Sequence, residues 1–327
     1  MHILICNPSK IPAHLYGGTE RVIWDLGKEL AEKGHKITYL VNKGSHCPFA
    51  NVLFIDPEKK ISEQIPGDVD VIHLNGHTSE TFDKPVVVTY HGNINDPELV
   101  LHKNAVFVSK NHAKRHGSET FVHNGLDWNN YASVNLEESR DYFHFLGKAA
   151  WRIKNLKGTI KISRLAEEKL VVMGGHRLNL KMGFRFTPYI NVRFAGMVDN
   201  EKKSRIIQHS KGLIFPVLWH EPFGLALIES LYFGCPVIGT PYGSLPEIII
   251  PEVGYLSDKS VDLAKAASNI EQFSRKKCHE YARDIFNAKK MADSYLRLYD
   301  KVINKESLNM PHPRLKERLN TKFLPFY

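Results

Sequence analysis

The stretch Ile214-Phe-Pro-Val-Leu-Trp-His-Glu-Pro-Phe-Gly-Leu-Ala-Leu-Ile-Glu-Ser-Leu-Tyr-Phe-Gly-Cys-Pro-Val-Ile-Gly-Thr-Pro-Tyr-Gly-Ser-Leu-Pro-Glu247 carries the decisive pattern of this chain. The apolar run from Gly212 to Val217 reads as a buried strand. A polar loop follows and ends in Glu221-Pro222-Phe223-Gly224. Pro222 suits the first turn of a helix, where its missing N–H costs nothing. Leu225, Ile228, Leu231 and Tyr232 then recur at helical spacing; Gly234 closes the helix and Pro236 to Gly239 opens the next strand. The unit is strand, loop, helix, strand, with Glu221 in the loop and Glu229 one turn into the helix. A helix N-terminus is a ready anion site. Two carboxylates beside it are out of place unless they accept hydrogen bonds from hydroxyls. A phosphate flanked by hydroxyls describes a sugar nucleotide.

Outward from this unit, short apolar runs alternate with helical patterns. In the first half, strands are expected at Ile3–Cys6, Lys36–Val41, Val69–Leu74, Val86–Tyr90, Ala105–Ser109 and Phe121–Val122. A helix over Thr19–Lys33 presents Val22, Leu26 and Leu30 on one face and is closed by Gly34. Residues 129–141 are polar, lack periodicity and read as a linker. The alternation then restarts with strands at Tyr142–Leu146, Leu170–Met173 and Val192–Ala195, and helices over Asn155–Glu168 and Asp199–His209. Ser260–Tyr299 looks helical, and Lys301–Tyr327 is basic and aromatic without an assignable fold. Strand–helix alternation implies parallel strands covered on both faces. The fold class is therefore α/β, with two Rossmann-like domains facing across a cleft.

Bulk properties narrow the function classes. The chain has 327 residues with 43% hydrophobic and 24% charged content, which suits a folded protein of about two domains rather than a disordered one. A net charge of +9 fits an anionic partner (nucleic acid, a membrane surface or a phosphorylated ligand) and equally an ordinary basic soluble protein. The four cysteines, Cys6, Cys47, Cys235 and Cys278, form no Cys-x-x-Cys pair, so neither zinc nor a disulfide framework is expected, and a reducing cytoplasm is the default location. Cys6 and Cys235 read as small core residues. The opening Met1-His-Ile-Leu-Ile-Cys-Asn-Pro turns polar too quickly for a signal peptide, and no apolar run reaches the ~20 residues of a membrane span.

The pair Glu221 and Glu229, set within His-Glu-Pro-Phe-Gly-Leu-Ala-Leu-Ile-Glu-Ser, resembles the donor-site motif of retaining glycosyltransferases of family 4, which have the GT-B fold. The resemblance covers nearly the whole chain to about Val302. It implies that Glu229 holds the nucleotide ribose, that Glu221 lies near hydroxyls of the transferred sugar, and that the diphosphate rests on the helix N-terminus at Phe223, Gly224 and Leu225. Tyr16-Gly17-Gly18-Thr19-Glu20 is similar to the family's glycine loop facing the donor phosphates, which assigns Gly17 and Gly18 to the site; without the family the loop is equally a flexible turn with Thr19 as N-cap. His91, in Tyr90-His91-Gly92, stands where the family has a histidine touching the donor sugar. His73 reads as cleft-lining or core. Gly147-Lys148 resembles the family's Gly-Arg, with Lys148 in place of arginine. Lys154 is the candidate second phosphate cation, with Asn155 where the family has glycine, and Arg152 and Lys157 compete with it. Val172-Met173-Gly174-Gly175 ends a strand at a ligand edge, and Met197 and Val198 lie in the segment on which the base packs.

The implied reaction moves a sugar from a nucleotide-diphosphate-sugar, UDP- or GDP-linked, to a hydroxyl of a glycan or lipid-linked acceptor, with no cofactor, no metal and no nucleic acid. Glu221, His91, Lys148 and Lys154 are its catalytic candidates. Asp68-Val69-Asp70 spells the metal motif of the other large glycosyltransferase fold, but it begins a strand and reads as structural. The expected organisation is an acceptor-side domain over 1–130, a linker over 131–141, a donor-binding domain over 142–280, a helix over 281–303 crossing back to the first domain, and a basic tail over 304–327. That tail (Lys301, Lys305, Arg314, Lys316, Arg318 and Lys322 against Glu306 and Glu317) is either solvated or a peripheral contact with anionic lipid at the inner membrane face. The alternatives are a UDP-sugar 2-epimerase on the same fold and a non-catalytic sugar-nucleotide-binding protein.

Overall fold

The computed structural model describes residues 1–13, 17–180, 184–316 and 321–327. Two compact units emerge: Met1–Asp127 with Phe286–Arg318, and Trp128–Ile285 with Leu319–Tyr327. The first half of the chain gives β1 (His2–Asn7), α1 (Gly18–Glu32), β2 (Lys36–Val41), β3 (Asn51–Phe54), β4 (Val71–Leu74), β5 (Val86–Tyr90), β6 (Ala105–Phe107) and α2 (Lys110–Arg115). Then come β7 (Tyr142–Leu146), α3 (Leu156–Leu165), β8 (Leu170–Met173), β9 (Leu178–Asn179), β10 (Arg185–Phe186), β11 (Val192–Gly196), α4 (Asn200–Gln208) and β12 (Ser210–Phe215). The rest is α5 (Leu225–Tyr232), β13 (Val237–Gly239), α6 (Leu245–Ile248), β14 (Gly254–Leu256), α7 (Ser260–Ser268), α8 (Arg275–Ile285) and α9 (Ala288–Ile303).

Each unit carries one six-stranded sheet, ordered β3-β2-β1-β4-β5-β6 in the first and β11-β8-β7-β12-β13-β14 in the second. Every pairing in both is parallel. Both sheets therefore repeat the 3-2-1-4-5-6 order of dinucleotide-binding folds, in which ligands sit beyond the strand C-termini where the order reverses. That point falls between β1 and β4, and between β7 and β12. Parallel strands covered on both faces need continuous apolar runs. β1 and β5 are buried at every position, and so is β8. Cys6 and Cys235 are core residues as expected, and burial pushes their thiols up to about 12 and about 11.

Several boundaries differ from the sequence expectation. α1 starts at Gly18 with Gly17 as N-cap, so Thr19 is inside the helix. Phe121 makes a single bridge with Phe107 rather than a strand. The helical reading of Ser260–Tyr299 breaks into α7, α8 and α9. Leu126 N–H donates to Phe286 O at 3.1 Å and Ala288 N–H donates to Leu126 O at 3.0 Å, so the chain is extended there. Asn287 then caps α9, its side chain accepting from Lys290 N–H at 2.9 Å. Gly125 permits this crossing, because a Cβ there would stand 2.1 Å from Asn287 O.

The unit boundary consequently falls at Ile285, not at residue 280, and α9 belongs to the first unit. Its Met291, Tyr295, Tyr299 and Val302 are buried. His73 explains the fit: Nδ1 pairs with Tyr299 Oη at 2.7 Å, Nε2 with Thr89 Oγ1 at 2.7 Å, and Thr89 in turn with Tyr295 Oη at 3.0 Å. His73 is thus a satisfied core residue, held neutral by burial, which lowers its pKa to about 3.

The linker reading of 131–141 is corrected by Arg140. Its guanidinium is buried and donates to Ser210 O at 2.8 Å and Phe233 O at 2.7 Å, so this segment is part of the second unit. The basic tail is also fastened. Asn309 donates to Lys103 O and Ala105 O at 2.9 Å, and Arg314 N–H to His116 O at 2.9 Å, in the first unit. Leu324 N–H donates to Leu218 O at 2.8 Å and Tyr327 N–H to Asp258 O at 2.9 Å, in the second. Glu317 and Arg318, like Tyr16 at the other end of the chain, lie outside the described residues.

Candidate functional site

The second unit builds its candidate site at the C-terminal end of β12. α5 begins at Leu225 with Gly224 as its N-cap at φ +83°, so Pro222 stands upstream of the cap rather than in the first turn. The loop entering the helix is held from both sides. Asn155 Nδ2 donates to Pro216 O at 2.9 Å and Leu218 N–H to Ile153 O at 2.8 Å. Thr240 Oγ1 donates to Val217 O at 2.7 Å, and Ser244 donates through Oγ to Phe223 O at 2.7 Å and through N–H to Glu221 O at 2.9 Å. Glu221 is 6% exposed; its Oε2 accepts from Lys154 Nζ at 2.5 Å and Trp219 Nε1 at 2.8 Å. The ammonium also lies 5.1 Å from the Phe215 ring centre and 5.2 Å from that of Trp219.

The three competing cations have different surroundings. Lys154 faces Glu221, whereas Arg152 stacks on Phe323 at 5.2 Å and Lys157 is exposed. The residue after Lys154 must take a left-handed backbone, and Asn155 does so at φ +53° while its Oδ1 caps α3 by accepting from Gly158 N–H at 3.0 Å. Asparagine tolerates that conformation better than any residue but glycine, which accounts for it at a position where the resemblance implies glycine.

Gly243 is the tightest point of the frame. It sits at φ +66°, and a Cβ there would lie 2.2 Å from Glu221 N and 2.4 Å from Glu221 O. Gly243→Ala should therefore displace Glu221. A left-handed alanine costs about 1–2 kcal/mol by itself. Gly34→Ala at φ +85°, with nothing within 4 Å, is the matched control. Urea titration should give a clearly larger loss for Gly243→Ala than for Gly34→Ala; equal losses would mean that the Glu221 loop yields freely.

Glu229, on α5, is 2% exposed and forms a second buried pair with Lys203 Nζ of α4, while Tyr131 Oη donates to it at 2.8 Å. The sequence reading missed both partners. Tyr131 lay in the supposed linker. Lys203 did leave a trace, because it shares the buried face of α4 with Ile206 and Ile207, where an apolar residue is the norm.

Lys148 follows Gly147 at the end of β7, its Nζ 4.7 Å from the Trp151 ring centre. Gly174 and Gly175 answer to packing: a Cβ on Gly174 would meet Gly147 O at 2.2 Å, and one on Gly175 would meet Ala149 Cβ at 2.4 Å. Past Gly196 at φ +73°, Met197 is exposed and Val198 buried. Phe223 is buried beside the α5 N-cap.

The first unit has its own concavity at the corresponding sheet edge, of about 370 Å³, lined by residues that include Asn7, Thr19, Glu20, Asn75, Tyr90 and His91. His91 Nε2 pairs with Asn75 Oδ1 at 2.8 Å, which places the proton on Nε2. Desolvation pushes its pKa down to about 4, so near neutral pH it offers hydrogen bonds and no charge. Gly17 is extended, and a Cβ on it would meet Glu20 Oε2 at 2.7 Å; Gly18 begins α1. Asp68 and Asp70 stand at the opposite end of β4. Asp68 pairs with Lys36 at 2.6 Å and Asp70 accepts from His2 N–H at 2.7 Å, as the structural reading expects.

Comparison with known proteins agrees with this architecture. Residues 127–291 match the family model described as glycosyl transferases group 1. The chain is 32% identical to an uncharacterized 41.2 kDa protein in the cps region of Klebsiella pneumoniae, over 33% of this chain and 32% of that one, so this match spans about a third of the relative's length. It is 23% identical to O-antigen chain mannosyltransferase C of Escherichia coli, over 89% of this chain and 96% of the relative. Among solved structures it is similar to AviGT4, a glycosyltransferase involved in avilamycin A biosynthesis, with a TM-score of 0.75 and 18% identity over 93% of this chain and 98% of that one. The two parallel sheets and this likeness identify the fold as GT-B.

Proposed function

Because the chain belongs to the group 1 glycosyltransferases, we propose that it is a retaining, metal-independent family 4 enzyme that moves a hexose from a nucleotide-diphosphate-sugar to a hydroxyl of a growing surface glycan. The similarity to an O-antigen mannosyltransferase supports the glycan acceptor. The observation that carries the reading is the pair of buried glutamates, each with a buried lysine, flanking the start of α5 at the switch point of the sheet. A carboxylate paired with an ammonium in a dry site is a strong acceptor for hydroxyl donors.

In this reading the diphosphate rests against the N–H groups at Phe223, Gly224 and Leu225, with Lys148 and Lys154 balancing the charge that develops as the bond from the anomeric carbon to phosphate oxygen breaks. Glu229 receives the ribose hydroxyls and Glu221 those of the sugar. Met197 and Val198 offer backbone groups to the base. In the first unit, His91 and the Gly17-Gly18 loop meet carbohydrate hydroxyls. The acceptor oxygen bonds to the anomeric carbon and its proton passes to the departing phosphate. The enzyme works in the cytoplasm.

A thermal-shift panel of UDP-, GDP- and ADP-sugars tests this, since a donor at a hundred times its Kd stabilises by about 2.7 kcal/mol. One donor class should raise the midpoint in the presence of EDTA, and NMR of the product should show the donor's anomeric configuration. Glu221→Ala should retain the shift but lower turnover. No shift with any donor, or an inverted product, would refute the reading; an epimer formed from donor alone would establish the 2-epimerase instead.

A further inference from the structure

Among the described residues, none covers one face of the β9–β10 pair. Phe186 is paired opposite Leu178, and Arg185 opposite Asn179. Alternation places Leu178 and Phe186 on one side of the ladder, and Leu180 and Phe184 adjoin its end. The exposures of Leu178, Leu180, Phe184 and Phe186, 52, 72, 74 and 55%, show that all four face solvent. The other side is anchored: Arg185 donates to Ala149 O at 2.6 Å and His176 O at 3.1 Å. Beside the hairpin lies a hollow of about 450 Å³, lined among others by Lys157, Lys161, Arg164 and Phe186. All three cations are exposed, and among the described residues no carboxylate is paired with any of them. Arg164 stacks on Tyr189 at 4.2 Å.

The charge distribution sharpens the point. Residues 142–198 hold eleven Lys and Arg against two acids, Glu167 and Glu168, a surplus of nine that equals the net charge of the whole chain. Glu168 is taken by Lys211 at 2.8 Å. One unit therefore presents exposed leucines and phenylalanines directly beside unpaired cations. Nucleic acid would use the cations but has no use for the aliphatic side chains. An anionic bilayer uses both, the apolar residues entering the headgroup boundary and the cations meeting lipid phosphates.

We propose that the β9–β10 hairpin and the Lys157–Lys161–Arg164 row of α3 form a docking surface for an anionic phospholipid bilayer. This goes beyond the transferase reading and is tested without donor or acceptor, so either stands or falls alone. The full chain is sedimented with vesicles of phosphatidylcholine containing 30% phosphatidylglycerol and with vesicles of phosphatidylcholine alone. The wild type should pellet with the anionic vesicles and lose most binding when salt is raised. Lys161→Glu with Arg164→Glu should weaken partitioning by roughly thirtyfold, and Leu180→Ser with Phe184→Ser by roughly tenfold or more. All four positions are exposed, and circular dichroism checks that the variants fold. A wild type that stays in the supernatant, or variants that pellet as it does, would overturn the proposal. So would binding to an RNA homopolymer in place of vesicles, or a dimer that the serine variant dissolves, since either assigns the face to another partner.

Discussion

Lys203→Met is expected to lower the melting midpoint by about 10 °C. Lys203 is 5% exposed, and its loss breaks the buried pair that it forms with Glu229. Breaking such a pair from one side costs about 3–5 kcal/mol, and each kcal/mol moves the midpoint of a unit this size by about 2–4 °C. The double variant Lys203→Met with Glu229→Leu should regain most of that loss, because replacing both charges by apolar groups of similar size is often neutral. The double variant also separates stability from function. Glu229→Ala alone would take from buried Lys203 its carboxylate partner and confuse failure to bind with failure to fold. If Glu229 receives the ribose, the stable double variant has lost hydrogen bonds to a charged acceptor, worth about 1.5–3 kcal/mol each, and should bind donor about 100-fold more weakly in calorimetry. A double variant that is stable and binds donor like the wild type would reduce the pair to a structural ion bridge.

Acidification should be nearly as costly. His73, His112 and His144 are buried, and desolvation is the leading cause that lowers all three, His73 and His144 to about 3 and His112 well below its ordinary value. Half-buried His91 and His102 shift the same way, to about 4. An unfolded imidazole titrates near 6.5. The stability linked to these groups is therefore complete above pH 6.5 and is lost as pH falls through their folded values of about 4 and about 3, because the unfolded chain takes up protons that the folded one refuses. At pH 5 the His73 and His144 rings cost about 2 kcal/mol each, and His112 acts in the same direction. Asp25 opposes them. Burial pushes its carboxyl up to about 7, so its contribution is present at low pH and lost as pH rises through 7. It offsets about one histidine. Five lowered imidazoles outweigh one raised carboxyl, so stability falls between pH 7 and pH 5, read as a steep fall in the urea midpoint. His144→Gln should flatten that slope by up to one proton. A midpoint unchanged from pH 7 to 5 would mean that these rings titrate freely in the fold.

The strands and most helices were legible because their signal is local. A run such as Ile3-Leu4-Ile5-Cys6 can only be a strand covered on both faces, and Val22, Leu26 and Leu30 can only be one stripe of a helix. Glu221 and Glu229 were legible for the same reason, since one short strand–loop–helix segment fixes both. Helix junctions were less so. Nothing near Asn287 announces that its backbone pairs with Leu126, and without that ladder the helical pattern reads straight through.

By itself the amino-acid order determined the α/β class, the two alternating halves and the carboxylates around α5, because periodicity and spacing act over a turn or a strand. Only the tertiary structure decided which lysine meets which glutamate. Lys154 reaches Glu221 across 67 residues, and Tyr131 reaches Glu229 across 98. It likewise placed Arg140 in the core, drew α9 onto His73 and turned one side of the β9–β10 hairpin to solvent. Those outcomes depend on which elements pack together, and the free energy of a buried charge or an exposed leucine is set by neighbours that lie far away along the chain.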